Sequence, residues 1–480
     1  MIRSLLLLFS LSVCWYFANG TWSLDVFAWI YPALTLLFLH RSELKRPGLW
    51  LLLVNIPVQV VAWHDMIPIP GVGYYAMTAT FALYYCLPFL LDKWLRSRLP
   101  GFLKTLVLPC AAVAVEFAMS SFSPYGTNGS VAYTQSDFLP FLQVLSVTGL
   151  SGVVFLLYWF GSLLFHVFFE KNSGKILLLP AALYLAIILL GFLRVQSIEE
   201  EELDLPVSAL VIPVEPLYEE LGRQRIDLTI AAPPPARANL NEFQDRYFQE
   251  LERLIEQDAP RLIATAEANL PLLGDQVARF RQRAAAFSQQ WGVAIVHGVV
   301  IYTPGEELSY NQAFVFDENG LLQTIYDKSF IVPGDGNHRM PARYAVQQFL
   351  GTKMGTAICF DLDFADWVSA FGRQGIGLMV SPASDWAAVD PYHGIMARYR
   401  AIENGFSLLR PTHKATSYAV DATGRELFSV RYEADRAHSF HTNISTAPLK
   451  TVYPHTRDAF AWLCVLVIVG MMGWTIAIRR

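Results

Sequence analysis

Charge is what this chain has least of. Only 16% of its 480 residues are charged, against 54% hydrophobic and 14% aromatic, whereas soluble domains carry nearer a quarter charged. Much of the chain is therefore built to avoid water. Cysteine is scarce as well, with five residues: Cys14, Cys86, Cys110, Cys359 and Cys464. Four of them sit in long apolar runs, where a thiol behaves as a small hydrophobe. One cysteine in the remaining polar part excludes an internal disulfide there. No basic tract, zinc-spaced Cys/His cluster or phosphate-cradling glycine-rich motif stands out, and a net charge of -5 gives no hint of a nucleic-acid partner.

The apolar residues fall in stretches each roughly long enough to cross a bilayer as a helix. They cover residues 1–19, 23–40, 48–63, 72–92, 102–120, 146–169 and 175–194, and an eighth at 459–478 ends the chain. The third is short and holds Pro57, a candidate kink. Residues 138–145 read as a separate interfacial piece. Lys and Arg supply an independent check. Arg3 precedes the first stretch; Arg41, Lys45 and Arg46 follow the second; Lys93, Arg96 and Arg98 follow the fourth; Lys171 and Lys175 flank the link after the sixth. The alternate links, 20–22, 64–71 and 121–145, contain neither. That alternation predicts eight spans with a cytoplasmic N-terminus and residues 195–457 on the outer face. Reading the first stretch as a cleaved signal peptide leaves seven spans and keeps every loop on its side, so charge alone does not exclude it; a retained span is expected. Glu116 lies within an apolar run, either facing a cavity or polar partner or hydrated near the outer surface.

Three regions follow: helices in 1–194, a water-facing domain in 195–457 and a last helix with a tail in 458–480. The middle region opens on an acidic linker, QSIEEEELDLP, then alternates β-rich runs with amphipathic stretches. Strands are expected at 207–213, 261–265, 293–302, 311–317, 321–326, 355–360, 377–382, 406–410, 416–420 and 426–430. Helices are expected at 240–257, 275–291, 363–374 and 391–404. Such alternation predicts a layered α/β domain with both sheet faces covered. The segment 214–239, with its PPPARAN, reads as a long irregular loop.

Cys359 ends the run MGTAI and is expected at a strand-to-helix corner, where a helix N-terminus lowers a thiol pKa. Glu267 ends RLIATA and Lys328 follows LLQTIYD. A cysteine nucleophile needs a base, which a carboxylate provides, and a positive group where an oxyanion develops, which a lysine provides. Singly, a packing cysteine, a solvated glutamate and a surface lysine are the commoner cases; all three ending apolar runs in one domain is what raises the joint reading. Arg400 and Glu403, one helical turn apart, read as a structural pair. Asp385 and Trp386 read as lining an acyl pocket or as packing, and His338 and His393 as ligands or, more commonly, as surface or supporting histidines.

These residues resemble the nitrilase, or carbon–nitrogen hydrolase, superfamily. The order is Glu267 in EANLP, Lys328 in YDKSFIVP and Cys359 in AICFD, with YNQAFVFD, SPASDW and the long HGIMARYRAIENGFSLLRPTHKATSYAVDATG around them. With the membrane stretches and the domain inserted before the last, nearly the whole chain resembles the apolipoprotein N-acyltransferase family. The resemblance implies an αββα sandwich, with Glu267 as general base, Lys328 as oxyanion partner and Cys359 as nucleophile. It implies a ping-pong transfer of an acyl chain from a membrane phospholipid through a Cys359 thioester to the α-amine of a diacylglyceryl-modified lipoprotein. It also implies no cofactor or metal, a monomer, and a bacterial inner membrane with the catalytic domain facing outward. The chain departs from the family pattern in four places. Thr265 and Ala266 replace Trp and Pro before the base; VPGDGN replaces VPFGE, leaving Asp335 as the nearest carboxylate; Phe360 and Asp361 follow the nucleophile in place of Tyr and Glu; and a tryptophan after the first external strand is missing. Asp335 and Asp361 both stand as replacements for the family's second glutamate, and Phe360 and Asn311 join the supporting residues. A membrane-tethered amidase or hydrolase, an acyltransferase with another amine acceptor, and a non-catalytic scaffold are the competing readings.

Overall fold

The computed structural model describes residues 1–20, 22–170, 174–197, 204–434 and 436–477. The chain forms two compact units, Met1–Val195 with His455–Arg480, and Gln196–Pro454. The acidic stretch of the linker at 198–203 lies outside the described residues.

The first unit is helical. Its helices are α1 (Ile2–Phe17), α2 (Asp25–Arg41), α3 (Pro47–Ala62), α4 (Val72–Leu95), α5 (Leu103–Phe122), α6 (Leu139–Leu142), α7 (Leu145–Thr148), α8 (Leu150–Phe169) and α9 (Leu178–Val195). Helices form at all the apolar stretches expected, but among the described residues five are long and apolar enough to cross a membrane: residues 72–98, 103–122, 150–169, 178–195 and 459–477. The sixth expected stretch starts late, because Gly149, at φ +61°, ends α7 before α8 begins. Helix α3 continues through Pro57. Several buried polar groups pair inside the unit: Arg96 grips Asp92 at 2.8 and 3.1 Å and Ser162 at 2.5 Å. Glu116 is buried among the helices, with Ser130 and Tyr84 as hydrogen-bond partners. The hydrated alternative therefore falls away.

The second unit is a layered α/β domain. Its first strands are β1 (Leu205–Val211), β2 (Leu262–Thr265), β3 (Leu270–Leu273), β4 (Ala294–Tyr302), β5 (Tyr310–Phe316) and β6 (Leu322–Asp327). Then come β7 (Ala345–Phe349), β8 (Thr352–Thr356), β9 (Leu378–Val380), β10 (Ala383–Ser384) and β11 (Ser407–Arg410). The last are β12 (Thr412–His413), β13 (Ser417–Val420), β14 (Glu426–Val430) and β15 (His438–Ile444). One sheet runs β15-β1-β2-β4-β5-β6 with β3 beside β4; the other runs β14-β13-β11-β9-β8-β7. The strands β1, β2 and β4, and separately β8, β9 and β11, are parallel.

Side chains alternate across each strand. Val207, Ala209, Leu262 and Ala264 face the second sheet's Leu378, Val380 and Leu409 in one core, while Leu210, Ile263 and Ile295 face away into another. That outer core is closed by α10 (Glu215–Arg223), α11 (Pro234–Asp258) and α12 (Val277–Trp291). Helices α13 (Ala365–Arg373) and α14 (Tyr392–Asn404) contribute Val368, Phe371, Ala397 and Ala401 to the core of the second sheet. The short α15 (Tyr453–Thr456) leads into α16 (Ala459–Ala477) of the first unit.

The segment 214–239 is not the irregular loop expected. It contains α10 and the first turn of α11, whose Pro234 and Pro235 take the opening helical positions that proline favours. The expected strand at 355–360 is also shorter: β8 stops at Thr356, and Cys359 opens a tight 3-10 turn, Cys359–Asp363. Arg400 and Glu403 pair at 3.1 Å, both fully buried.

Candidate active site

The chemically expressive residues gather where the parallel strands end, the region in which open α/β sheets present ligands. Glu267 follows β2, Lys328 follows β6, Cys359 follows β8, Asp385 follows β10 and Arg410 ends β11. Backbone bonds lace these ends together. The Glu267 N–H donates to Ala383 at 3.2 Å, Cys359 N–H to Pro382 at 2.9 Å, Lys328 N–H to Asn311 at 3.0 Å and Asp385 N–H to His413 at 3.0 Å. Both sheets thus hold one cluster.

Two of the corners are strained. Cys359 has φ +49° and Ala268, next to Glu267, has φ +52°; non-glycine residues there cost of order 1–3 kcal/mol each and recur at functional sites. Gly298 on β4 shows why the Glu267 corner fits. A Cβ on it would meet the Ala266 carbonyl oxygen at 1.9 Å and the Glu267 Cα at 3.2 Å. Only a residue without a side chain lets the corner lie so close.

Glu267 and Lys328 form the first face of the cluster. Both are buried, and Lys328 Nζ lies 2.5 Å from Glu267 Oε1. The Asn311 amide donates to the same oxygen at 2.7 Å. Glu267 Oε2 has no hydrogen-bond partner among the described residues. Burial works against the Lys328 ammonium, but Glu267, then Cys359 and Asp335, more than offset it and hold its pKa above the ordinary value. Asp335, about one-third exposed, places Oδ2 3.6 Å from Lys328 Nζ.

Asp361 does something different. It is fully buried and accepts four bonds: from the Tyr326 hydroxyl at 2.5 Å and from the N–H groups of Ile358 (2.9 Å), Ser329 (3.1 Å) and Phe330 (2.8 Å). It ties the link after Lys328 to the turn that carries Cys359. Burial pushes its carboxyl up to about 6 against those bonds, which leaves it ionised at neutral pH. Phe360 is buried and packs edge-on against Phe364, their centroids 5.3 Å apart.

The second face meets the sulfur directly. Cys359 Sγ lies 3.6 Å from Asp385 Oδ1 and 3.7 Å from the Ser384 carbonyl. Asp385 also accepts from His393 Nδ1 at 2.6 Å and from Arg410 at 3.0 and 3.2 Å, and His393 Nε2 faces Asp363 Oδ1 at 2.7 Å. His393 is thus a buried neighbour of the thiol, whereas His338 is partly exposed and stacks on Tyr310, ring centres 4.4 Å apart. Trp386 is half-buried. Asp363 and Arg410 escaped the sequence reading, although Arg410 ends an apolar strand just as Glu267 does. Burial, with Glu267 and Asp385 nearby, pushes the Cys359 thiol up to about 11. A five-residue 3-10 turn does not lower it as the expected helix N-terminus would, so the sulfur is protonated at neutral pH and needs a base.

Cys359, Asp385 and His393 also bring three potential metal ligands within 4.8 Å of one another. The donor set argues against a cation there, since both His393 nitrogens and both Asp385 oxygens are already engaged and Arg410 stands among them.

The carbon-nitrogen hydrolase family model matches residues 244–436, and the model of the apolipoprotein N-acyltransferase N-terminal domain matches residues 11–163. The apolipoprotein N-acyltransferase of Geobacter metallireducens is 24% identical over 446 residues, covering 85% of this chain and 81% of its own. Apolipoprotein N-acyltransferase 1 of Treponema denticola is 31% identical over 126 residues, 25% of this chain and 23% of its own. Among solved structures, an amidase of the nitrilase superfamily from Nesterenkonia AN1 is similar at 17% identity and a TM-score of 0.41, covering 54% of this chain and 96% of that one. Two domain models in the order the chain presents them, and a relative matched along most of both lengths, make this chain a member of the apolipoprotein N-acyltransferase family, within the carbon–nitrogen hydrolases.

Proposed function

We propose that the protein transfers an acyl chain from a membrane phospholipid to the N-terminal amine of a diacylglyceryl-modified lipoprotein, through a thioester on Cys359. Glu267 takes the thiol proton on its open oxygen. The sulfur attacks the sn-1 ester carbonyl, and the charge that develops on that oxygen faces the Lys328 ammonium. The C–O bond breaks, and the departing lysophospholipid oxygen receives the proton from Glu267. In the second half the lipoprotein α-amine attacks the thioester and gives its proton to Glu267. A C–N bond forms, the C–S bond breaks and the thiol is restored. Asp335 beside Lys328 takes the part of the family's second glutamate, and Asp361 positions the two loops without meeting substrate.

The observation that carries this reading is Glu267, with one oxygen held by Lys328 and Asn311 and the other unbonded, in a cluster with a protonated cysteine. The charge alternation along the sequence supports eight spans, with the catalytic unit on the outer face of a bacterial inner membrane. One chain carries every group the reaction uses, so the protein acts as a monomer. The test is mass spectrometry of lipoprotein N-termini from cells with the chain, without it, and with Cys359→Ser. N-acylated termini that require Cys359 support the proposal; termini acylated equally in all three refute it.

A further inference from the structure

The Asp385 face of the cluster around Cys359 carries more organised charge than packing requires. Asp385 Oδ1 is 3.6 Å from the sulfur, and behind it stand His393 at 2.6 Å and Arg410 at 3.0 Å, with Asp363 closing the row at 2.7 Å from His393. All four are at least nine-tenths buried. Both His393 nitrogens face carboxylate oxygens, and a neutral imidazole has one N–H to give. With both carboxylates ionised, only the imidazolium satisfies both contacts. The row therefore holds two carboxylates and two cations, with Asp385 between His393 and Arg410 and Arg410 Nη2 also 3.1 Å from His393 Nδ1; pairing of this kind is how buried charge is tolerated.

We propose that this charge-balanced row sets the ionisation and the aim of the Cys359 sulfur: Asp385, 3.6 Å from the sulfur, fixes its direction while the proton leaves to Glu267, and His393 and Arg410 cancel the Asp385 charge that a thiolate would otherwise meet. Asp385 touches the reacting atom; His393, Arg410 and Asp363 are positioning residues that act through it. Removing His393 or Arg410 leaves the row net negative beside the sulfur, and removing Asp385 leaves it net positive. The other charged or titratable groups around the thiol are Glu267 after β2, Lys328 after β6, Asp335 beyond it, Asp361 in the same turn and Tyr418 on β13; none changes in these variants. The inference rests on Cys359 being the nucleophile, but not on the acyl donor or acceptor assigned above.

The test is the pH profile of Cys359 alkylation by iodoacetamide in the purified full chain, read by mass spectrometry of the peptide that contains it. His393→Gln and Arg410→Gln are expected to move the profile to higher pH by about one unit or more, and Asp385→Asn to move it to lower pH, since a charge within a few ångströms shifts a titration by roughly 1–3 units. Acyl-enzyme formation should fall at least tenfold in His393→Gln at pH 7, and raising the pH should restore part of it. A structural disturbance would move the variants in one direction or leave the profile in place while activity fell. Shifts of the same sign for Asp385→Asn and His393→Gln, or no shift, overturn the proposal. Should Asp385→Asn not fold, His393→Gln and Arg410→Gln decide alone: both must move upward, and an unmoved or downward profile in either one overturns it.

Discussion

The two faces of the cluster around Cys359 are built on opposite plans. On one, Glu267 keeps a carboxylate oxygen unbonded and Asp335 is partly open to solvent. On the other, Asp385 and His393 have every donor and acceptor engaged. An unbonded buried oxygen is costly in a structure that gains nothing from it, so the first side is equipped to move protons. The second, bonded throughout, is equipped to hold still. The same contrast separates Asp335 from Asp361, which the sequence left as equivalent substitutes: one has a single long contact to Lys328, the other four bonds to the loops on either side.

The hardest blow to this contrast comes from the open side. Cys359→Ser should leave the protein folded and inserted while abolishing acyl transfer, and Glu267→Gln, nearly isosteric, should lower the rate by roughly 10²–10⁴ through loss of the base; steady-state rates on the purified chain check both. If Glu267→Gln proves mild, the division of labour is wrong.

Next is Gly298→Ala. A methyl group there meets the Ala266 carbonyl and must displace the Glu267 corner. A misplacement of this order costs about a hundredfold in rate, with the unfolding midpoint reporting any global damage. Activity near the parent's would mean the corner tolerates movement.

Asp335→Ala and Asp361→Asn sharpen the contrast between the two carboxylates. Asp335→Ala should lower activity far more than it lowers stability. Asp361→Asn, which turns two acceptor positions into donors, should cost about 1–3 kcal/mol in urea unfolding and affect catalysis less. The reverse order of activities would make Asp361 the family's missing carboxylate.

The smallest effect is on stability against pH. Burial alone would lower the His393 pKa, but Asp363 and Asp385 raise it well above the usual value. A histidine raised in the folded state contributes stability that is fully present below its unfolded pKa of about 6.5 and is lost as pH climbs through the folded value. The unfolding midpoint should therefore decline with pH above that point, and His393→Gln should flatten the decline.

What the sequence made legible depended on local pattern. Apolar runs announced the helices of the first unit, and three residues closing such runs announced the cluster around Cys359. Segments whose pattern conflicts with their structure stayed hidden. Strand β3 is four residues long and holds Pro271, which a strand tolerates only at an edge, and it pairs with β4 alone. In β15 just Phe440 and Ile444 are buried, so its alternation is too weak to see. The prolines at 233–235 looked like a loop and instead begin a helix. The place of His393 beside the cysteine stayed hidden for another reason: it sits in α14, well downstream of Cys359, and only the fold brings its helix to the sulfur.

The central claim, that Cys359 carries the acyl group between two lipid-bearing substrates, is tested most directly by intact-mass spectrometry of the purified chain after incubation with phospholipid. The account predicts a fatty-acyl mass added at Cys359 that persists without acceptor and disappears when a diacylglyceryl-cysteine peptide with a free amine is supplied, with the acyl group recovered on that amine. A chain that turns over phospholipid and acceptor while Cys359 never carries an adduct, or that works equally well as Cys359→Ser, would contradict it.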